Sequence, residues 1–263
     1  MIDTHCHIIP MCDDGPEHWN QSLDMAREAV RQGITGIIAT PHHGKGSYYN
    51  NPDKIAALVK QFNGLLVNES IPLTVWAGQE YHLSANYKEQ SGIFNNVQPL
   101  ADSKYVLVEL PSKETPKYLN DFIRFLKSNE LIPIIAHPER HHPFIREPGR
   151  LYELIGLGVL FQLTAPSLVG HYGTEVQQAA WMMARNRWIH ILASDAHDLN
   201  KRAFRLREAF WLLEAGLQRE TVDYLRFNAE QLVQGEVLET GEPIIPFQHK
   251  SKRKIPFWNP HRL

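Results

Sequence analysis

Histidines and carboxylates recur in this chain at the ends of short apolar runs. His5 and His7 belong to the first run, Met1 to Ile9, while His42, Glu80, Glu109, His137, and the pair Asp195 and His197 end or follow later ones. In a strand, residues two apart leave the backbone on one side, so His5 and His7 are placed to share a metal ion. The acidic turn Asp13-Asp14, closed by Gly15, then brings carboxylate oxygen beside them. A single histidine is more often a core or surface residue held by ordinary hydrogen bonds. Here the signal is the repetition of ligand types at equivalent places.

Imidazole nitrogen and carboxylate oxygen without thiolate suit Mn, Fe or Zn better than Ca. Asp14, Asp195, Glu80 and Glu109 carry −4 and neutral imidazoles carry nothing. Three divalent ions would leave a balance of about +2, a good receptor for phosphate, whereas four bare carboxylates this close would repel one another and shift their pKa values. Arg140 and Arg202 follow ligand candidates closely and are the candidates for clamping a phosphate, because the guanidinium fork matches its oxygens. Arg205 is in reserve. His43, His82, His141 and His142 are read as bystanders, or at most as supports for the ligands. Cys6 points away from the His5 and His7 face and belongs to the core, and Cys12 lies along the loop. A thiolate phosphatase needs Cys, five residues, then Arg. Cys12 stands six after Cys6 and His18 six after Cys12, which excludes that chemistry.

The elements that must hold these groups alternate. Strands are expected at Met1–Ile9, Ile34–Thr40, Leu73–Ala77, Tyr105–Leu110, Leu131–Ala136, Val159–Leu163 and Trp188–Ala193. Helices are expected at Asn20–Gln32, from Pro52 to about Leu66, around Leu119–Leu126 and Leu151–Ile155, from Thr174 to about Arg187, and over Lys201–Glu214 and Glu220–Val233. Residues 81–102 show no regular pattern. Strand–helix alternation implies parallel strands with crossover helices, and apolar strands fit a sheet covered on both faces. Active sites of such folds lie at the C-terminal strand ends, where all the ligand candidates fall. Only the strand ending at Leu163 offers no obvious ligand.

Length and composition agree with one domain over residues 1–245, with a basic tail at 246–263. The 263 residues are 43% hydrophobic and 21% charged, with net charge −2. No apolar run reaches the roughly 18 residues that span a bilayer. No signal peptide is expected at the N-terminus, and two cysteines make no disulfide framework, so a reduced cytoplasmic setting is expected. No basic stripe for nucleic acid is visible outside the tail. That tail, Lys250 to Lys254 followed by Ile255-Pro-Phe-Trp258, is either solvated or touches an anionic membrane surface or a partner weakly.

The segments Asp3-Thr-His-Cys-His7, Asp13-Asp-Gly15, Ala39-Thr-Pro-His-His43, Gly78-Gln-Glu80, Ala136-His-Pro-Glu-Arg140 and Ala193-Ser-Asp-Ala-His197 together resemble the PHP (polymerase and histidinol phosphatase) superfamily. The chain is most similar to its metal-dependent protein tyrosine phosphatases of capsule and exopolysaccharide clusters, the CpsB/YwqE-like group. The resemblance implies a distorted (β/α)7 TIM-like barrel, manganese dependence and a trinuclear site. His5, His7, Glu80 and Asp195 would hold one ion. Glu80, Glu109 and His137 would hold a second. Asp14, His42 and His197 would hold a third, with Asp14 rather than Asp13 as ligand. It also implies hydrolysis of phosphotyrosine on an autophosphorylating bacterial kinase. Phosphotyrosine needs an open, shallow mouth, and Tyr48, Tyr49 and Tyr81 are the candidates for aromatic contacts there. A histidinol-phosphate phosphatase, another small-molecule phosphoesterase, a PHP exonuclease and a non-catalytic metal-binding module are the rival readings.

Overall fold

The structure is a computed structural model that describes residues 1–85, 87 and 97–245. The expected basic tail lies outside the described residues, as does part of the irregular stretch before Val97.

Among the described residues the strands run β1 (Ile2–Cys6), β2 (Gly36–Ala39), β3 (His42–His43), β4 (Thr74–Ala77), β5 (Glu80–His82), β6 (Tyr105–Glu109), β7 (Ile132–Ala136), β8 (Leu160–Thr164) and β9 (Ile191–Ala193). They form two parallel sheets, ordered β1-β2-β4 and β3-β5-β6-β7-β8-β9. β2 and β3 are two halves of one stave, interrupted at Thr40-Pro41, and β4 and β5 are halves of another, interrupted at Gly78-Gln79. The wall therefore has seven staves. It closes where Cys6 bridges Ala196 in parallel, with His7 N–H donating to the Ala196 carbonyl at 2.9 Å and Asp195 N–H to the His5 carbonyl at 2.8 Å. The result is a distorted (β/α)7 barrel of the TIM type.

The pleat sorts each stave into two faces. Ile37, Val106, Val108, Ile135, Phe161, Leu163 and Leu192 face outward into the large core under the helices. Ile38, Leu107, Ile134, Leu160 and Ile191 form a separate inner cluster with Leu232 and Leu238. The inward face turns polar toward the C-terminal strand ends, where Glu80, Glu109, Gln162 and Thr164 continue the same two-residue alternation, all buried.

Helices cover the outside, among them α1 (Trp19–Arg31), α2 (Pro52–Asn68) and α3 (Leu119–Ser128). Asn51 caps α2 by accepting from Lys54 N–H at 2.9 Å, with Pro52 in its first turn, the arrangement expected at a helix start. Three expected boundaries move by at least three residues. The first strand ends at Cys6 rather than Ile9, because the chain turns to present His7 and Asp13. The last begins at Ile191 rather than Trp188. The helix expected from Lys201 starts at Leu206, because Asp198 Oδ1 accepts from the N–H groups of Asn200, Lys201 and Arg202 and holds them in a turn.

Just before β9, buried His190 accepts from Phe161 N–H at 3.1 Å through Nδ1. Burial lowers its pKa to about 4. A folded pKa below the unfolded value of about 6.5 means that stability is complete above that value and is lost as pH falls. Linkage predicts a loss of about 2 kcal/mol from this residue between about pH 7 and pH 5. Thermal unfolding of His190→Asn should therefore fall less steeply over that interval than that of the parent. Equal slopes would show that His190 is not a source of acid lability.

Candidate metal centre

The nine ligand candidates converge at the C-terminal mouth. Ligand atoms come together in three overlapping groups: His5, His7, Glu80 and Asp195; His7, Asp14, His42 and His197; and His42, Glu80 and Glu109. Glu80 is central. Its Oε2 lies 3.5 Å from His5 Nε2, 3.4 Å from His7 Nε2 and 2.7 Å from His42 Nδ1, and its Oε1 lies 2.8 Å from His137 Nε2. His137 thus meets the cluster through Glu80, and His42 stands between Glu80 and Asp14, whose oxygen is 3.4 Å from His42 Nε2. The two neighbouring aspartates do different work. Asp13 accepts from His7 Nδ1 at 2.7 Å and His42 N–H at 2.9 Å. Asp14 faces His42, His197 and Arg202. Gly15 is required beside them, because a Cβ there would lie 2.5 Å from the His7 carbonyl oxygen.

The donor set fits a cation. Gln162 donates its amide to the Leu163 carbonyl at 2.8 Å, so its oxygen must accept from His5 Nδ1 at 2.9 Å. Asp13 fixes Nδ1–H on His7, and the Asp195 carbonyl fixes it on His197 at 2.9 Å. The Nε2 lone pairs of His5 and His7 then meet at 3.1 Å, among the carboxylates of Glu80 and Asp195. Acceptors crowded without a proton between them repel unless a positive charge sits there. His42 Nδ1, Glu80 Oε2 and His197 Nε2 are buried without a hydrogen-bond partner, although the first two are 2.7 Å apart. His137 and Asp195 both take left-handed backbone, φ 35° and 55°, which costs about 1–3 kcal/mol per residue and recurs at functional sites.

Electrostatics show the same need for positive charge: burial opposes a charge on His5 and His7, yet Glu80 and Asp195 raise the pKa of His5 and Asp13 raises that of His7, so protons supply there the charge that a bound ion would replace. Burial opposes ionisation of Glu80 and Asp195, yet surrounding imidazoles hold Glu80, and Arg140 with His5 holds Asp195, well below the usual carboxylate range. Burial and the neighbouring His7 lower His197 to about 4, so it is a neutral donor. Burial and Arg140 likewise lower His137.

Both arginines reach this centre. Arg140 Nη2 lies 2.8 Å from Asp195 Oδ2, and Arg202 contacts Asp14 at 3.0 Å and Asp195 at 3.2 Å. They line a cavity of about 320 Å³ with Lys45, His82, Glu109, Ser112, His137 and His141. Arg205 is exposed, pairs with Glu208 and does not line it. His82 donates through Nδ1–H to Glu109 at 2.9 Å. His43 contacts the Asn50 carbonyl, His141 the Glu114 carbonyl, and His142 is exposed. Both cysteines are buried in the core. Tyr81 is not at the mouth: Glu80 faces inward, so Tyr81 faces outward and is buried against Phe122. Tyr48 stacks near His42 at 6.1 Å and Tyr49 is exposed.

Three partners escape a search for charged ligands: Gln162, Lys45 and Tyr172, whose ring lies 5.2 Å from the Arg140 guanidinium. Gln162 had a visible sign, a polar residue inside the apolar strand Leu160–Thr164. Gln162→Leu should weaken metal binding by about 10- to 100-fold, the usual cost of losing a group that orients a ligand histidine. Mn²⁺ titration of the stripped protein checks this, and unchanged affinity would deny Gln162 that role.

A sequence model of the family described as "Capsular polysaccharide synthesis, CpsB/CapC" matches residues 1–234. The chain is 39% identical over 255 residues to the tyrosine-protein phosphatase YwqE of Bacillus subtilis, covering 97% of this chain and 98% of that one. It is 33% identical over 258 residues to the putative tyrosine-protein phosphatase CapC of Staphylococcus aureus, with the same coverage. Its fold superposes with TM-score 0.89 and 38% identity on a crystal structure from a description of YwqE from Bacillus subtilis and CpsB from Streptococcus pneumoniae as metal-dependent tyrosine phosphatases, covering 93% of this chain and 99% of that one. The chain belongs to the CpsB/CapC family.

Proposed function

We propose that this protein is a metal-dependent tyrosine phosphatase acting on phosphotyrosines of an autophosphorylating bacterial kinase in capsule or exopolysaccharide synthesis. The reading is carried by one observation: the imidazole–carboxylate cluster reaches, through Glu109 and His137, the cavity that both arginines line. The family membership supports the same substrate class. With it go a cytoplasmic location and manganese as the resident metal, iron and zinc being the other ions that this donor set suits.

We retain His5, His7, Asp14, His42, Glu80, Glu109, His137, Asp195 and His197 as ligands of up to three divalent ions, with Glu80 shared. Bound there, such ions polarise phosphoryl oxygens and bring the pKa of a water toward neutrality. Arg140 and Arg202 offer N–H groups to the phosphate oxygens from the cavity wall, and Asp195, paired with both, fixes their orientation. Gln162 and Asp13 keep His5 and His7 in the tautomers that present Nε2. In the overall step the oxygen of water bonds to phosphorus and the bond from phosphorus to the tyrosine oxygen breaks. The phenol, with a pKa near 10, leaves with little need for a protein acid.

The test is phosphate release from a phosphotyrosine peptide and from histidinol phosphate, in parallel, with Mn²⁺ and with EDTA. Faster peptide turnover that EDTA abolishes is expected. Preference for histidinol phosphate would overturn the substrate, and failure to turn over either with metal bound would favour a non-catalytic module. An autophosphorylated kinase as third substrate tests the partner.

A further inference from the structure

One cation already sits among the ligands. Lys45 Nζ lies 2.7 Å from Glu109 Oε1 and 3.1 Å from His42 Nε2. Those two residues, with Glu80, make up one of the three ligand groups. Lys45 comes from the loop after β3, in a turn where Gly44 N–H donates to the Tyr48 carbonyl and Tyr48 N–H to the Lys45 carbonyl. Gly44 and Gly46 both take positive φ, so the turn is built to carry this side chain over the cluster. Its side chain is partly exposed, 38%, whereas that of Glu109 is 11% exposed and that of His42 1%. The side chain also lines the cavity shared with Arg140 and Arg202, so the ammonium has somewhere to go.

We propose that Lys45 is a positioning residue that acts as a tethered counter-cation: it pairs with Glu109 and His42 in the metal-free protein and competes with the divalent ion for that pole. The inference rests on the metal-site reading above. Like charges cannot share the pole, because an ammonium and a divalent ion a few ångströms apart in a buried site repel strongly. Metal binding there must move Lys45 away, and its affinity is reduced by whatever the Lys45–Glu109 pair contributes. The same pair, together with the His82 hydrogen bond, compensates a nearly buried carboxylate when no metal is present. Lys45 thus trades metal affinity for stability of the unloaded protein.

The experiment uses the full chain stripped with chelator and dialysed. Mn²⁺ binding is measured by calorimetry, and thermal unfolding with and without Mn²⁺, for the parent, Lys45→Met, Lys45→Gln and Glu109→Gln. In both Lys45 variants the weakest Mn²⁺ site should tighten by about two- to fivefold, the range of a partly exposed ion pair lost from the competing state. Their metal-free forms should melt lower and gain more on Mn²⁺ addition. Glu109→Gln should lose the same site. Unchanged or weaker Mn²⁺ binding in the Lys45 variants, with Glu109→Gln losing the site, would overturn the role of Lys45 and leave the metal reading standing. Absence of Mn²⁺ binding in the parent would overturn both.

Discussion

Replacing Glu80 by Gln is expected to lower kcat/KM for a phosphotyrosine peptide by about a thousandfold or more, as for loss of a group central to a metal-assisted reaction. The substitution preserves shape and removes one charge. Four imidazole nitrogens lie within 3.5 Å of the Glu80 oxygens, so a neutral amide turns an N–H toward some of those lone pairs. The barrel should persist, because the inner apolar cluster beneath does not involve Glu80. Elemental analysis after dialysis should show fewer ions per chain than in the parent. Full metal content with a loss of under tenfold would remove Glu80 from the centre of the site.

The second large effect concerns Arg140. Arg140→Lys should reduce kcat/KM by about a hundredfold, since an ammonium keeps the charge but not the bidentate fork. Arg140→Ala should cost more, because Arg140 is the foremost of the groups that hold the buried Asp195 carboxylate ionised. Its ring partner Tyr172 would also lose its cation. Added guanidinium should restore part of the activity of the Ala variant but not of the Lys variant. An Ala variant with parental kcat/KM would shift phosphate binding to Arg202 alone.

Much of the fold is legible from residue order. Parallel strands buried on both faces are written as apolar runs, and those runs locate all seven staves. What escapes depends on closure of the wall or on strict use of the pleat. Gln162 supports His5 across 157 residues of sequence, a pairing that exists only once the barrel closes. The two-residue period puts Tyr81 on the outer face, next to inward Glu80. The turn at Asp198 hides in a run that otherwise suits a helix, because one carboxylate oxygen takes three backbone donors. Lys45 carries no pattern at all, being a lone lysine in a glycine turn.

The wall is sewn shut at the cluster itself, where His5 and Asp195 bond through their backbones. The seam joins the beginning of the chain to a point 190 residues later. Contacts of such separation form late, because the loop they close is long. During synthesis, which proceeds from the N-terminus, His5 and His7 emerge long before Asp195 exists. A nascent chain therefore carries an incomplete set of the ligand candidates throughout most of its translation. On the proposed metal reading, loading would have to wait for the last stave, and an ion captured at that moment would act as a clasp on the finished barrel.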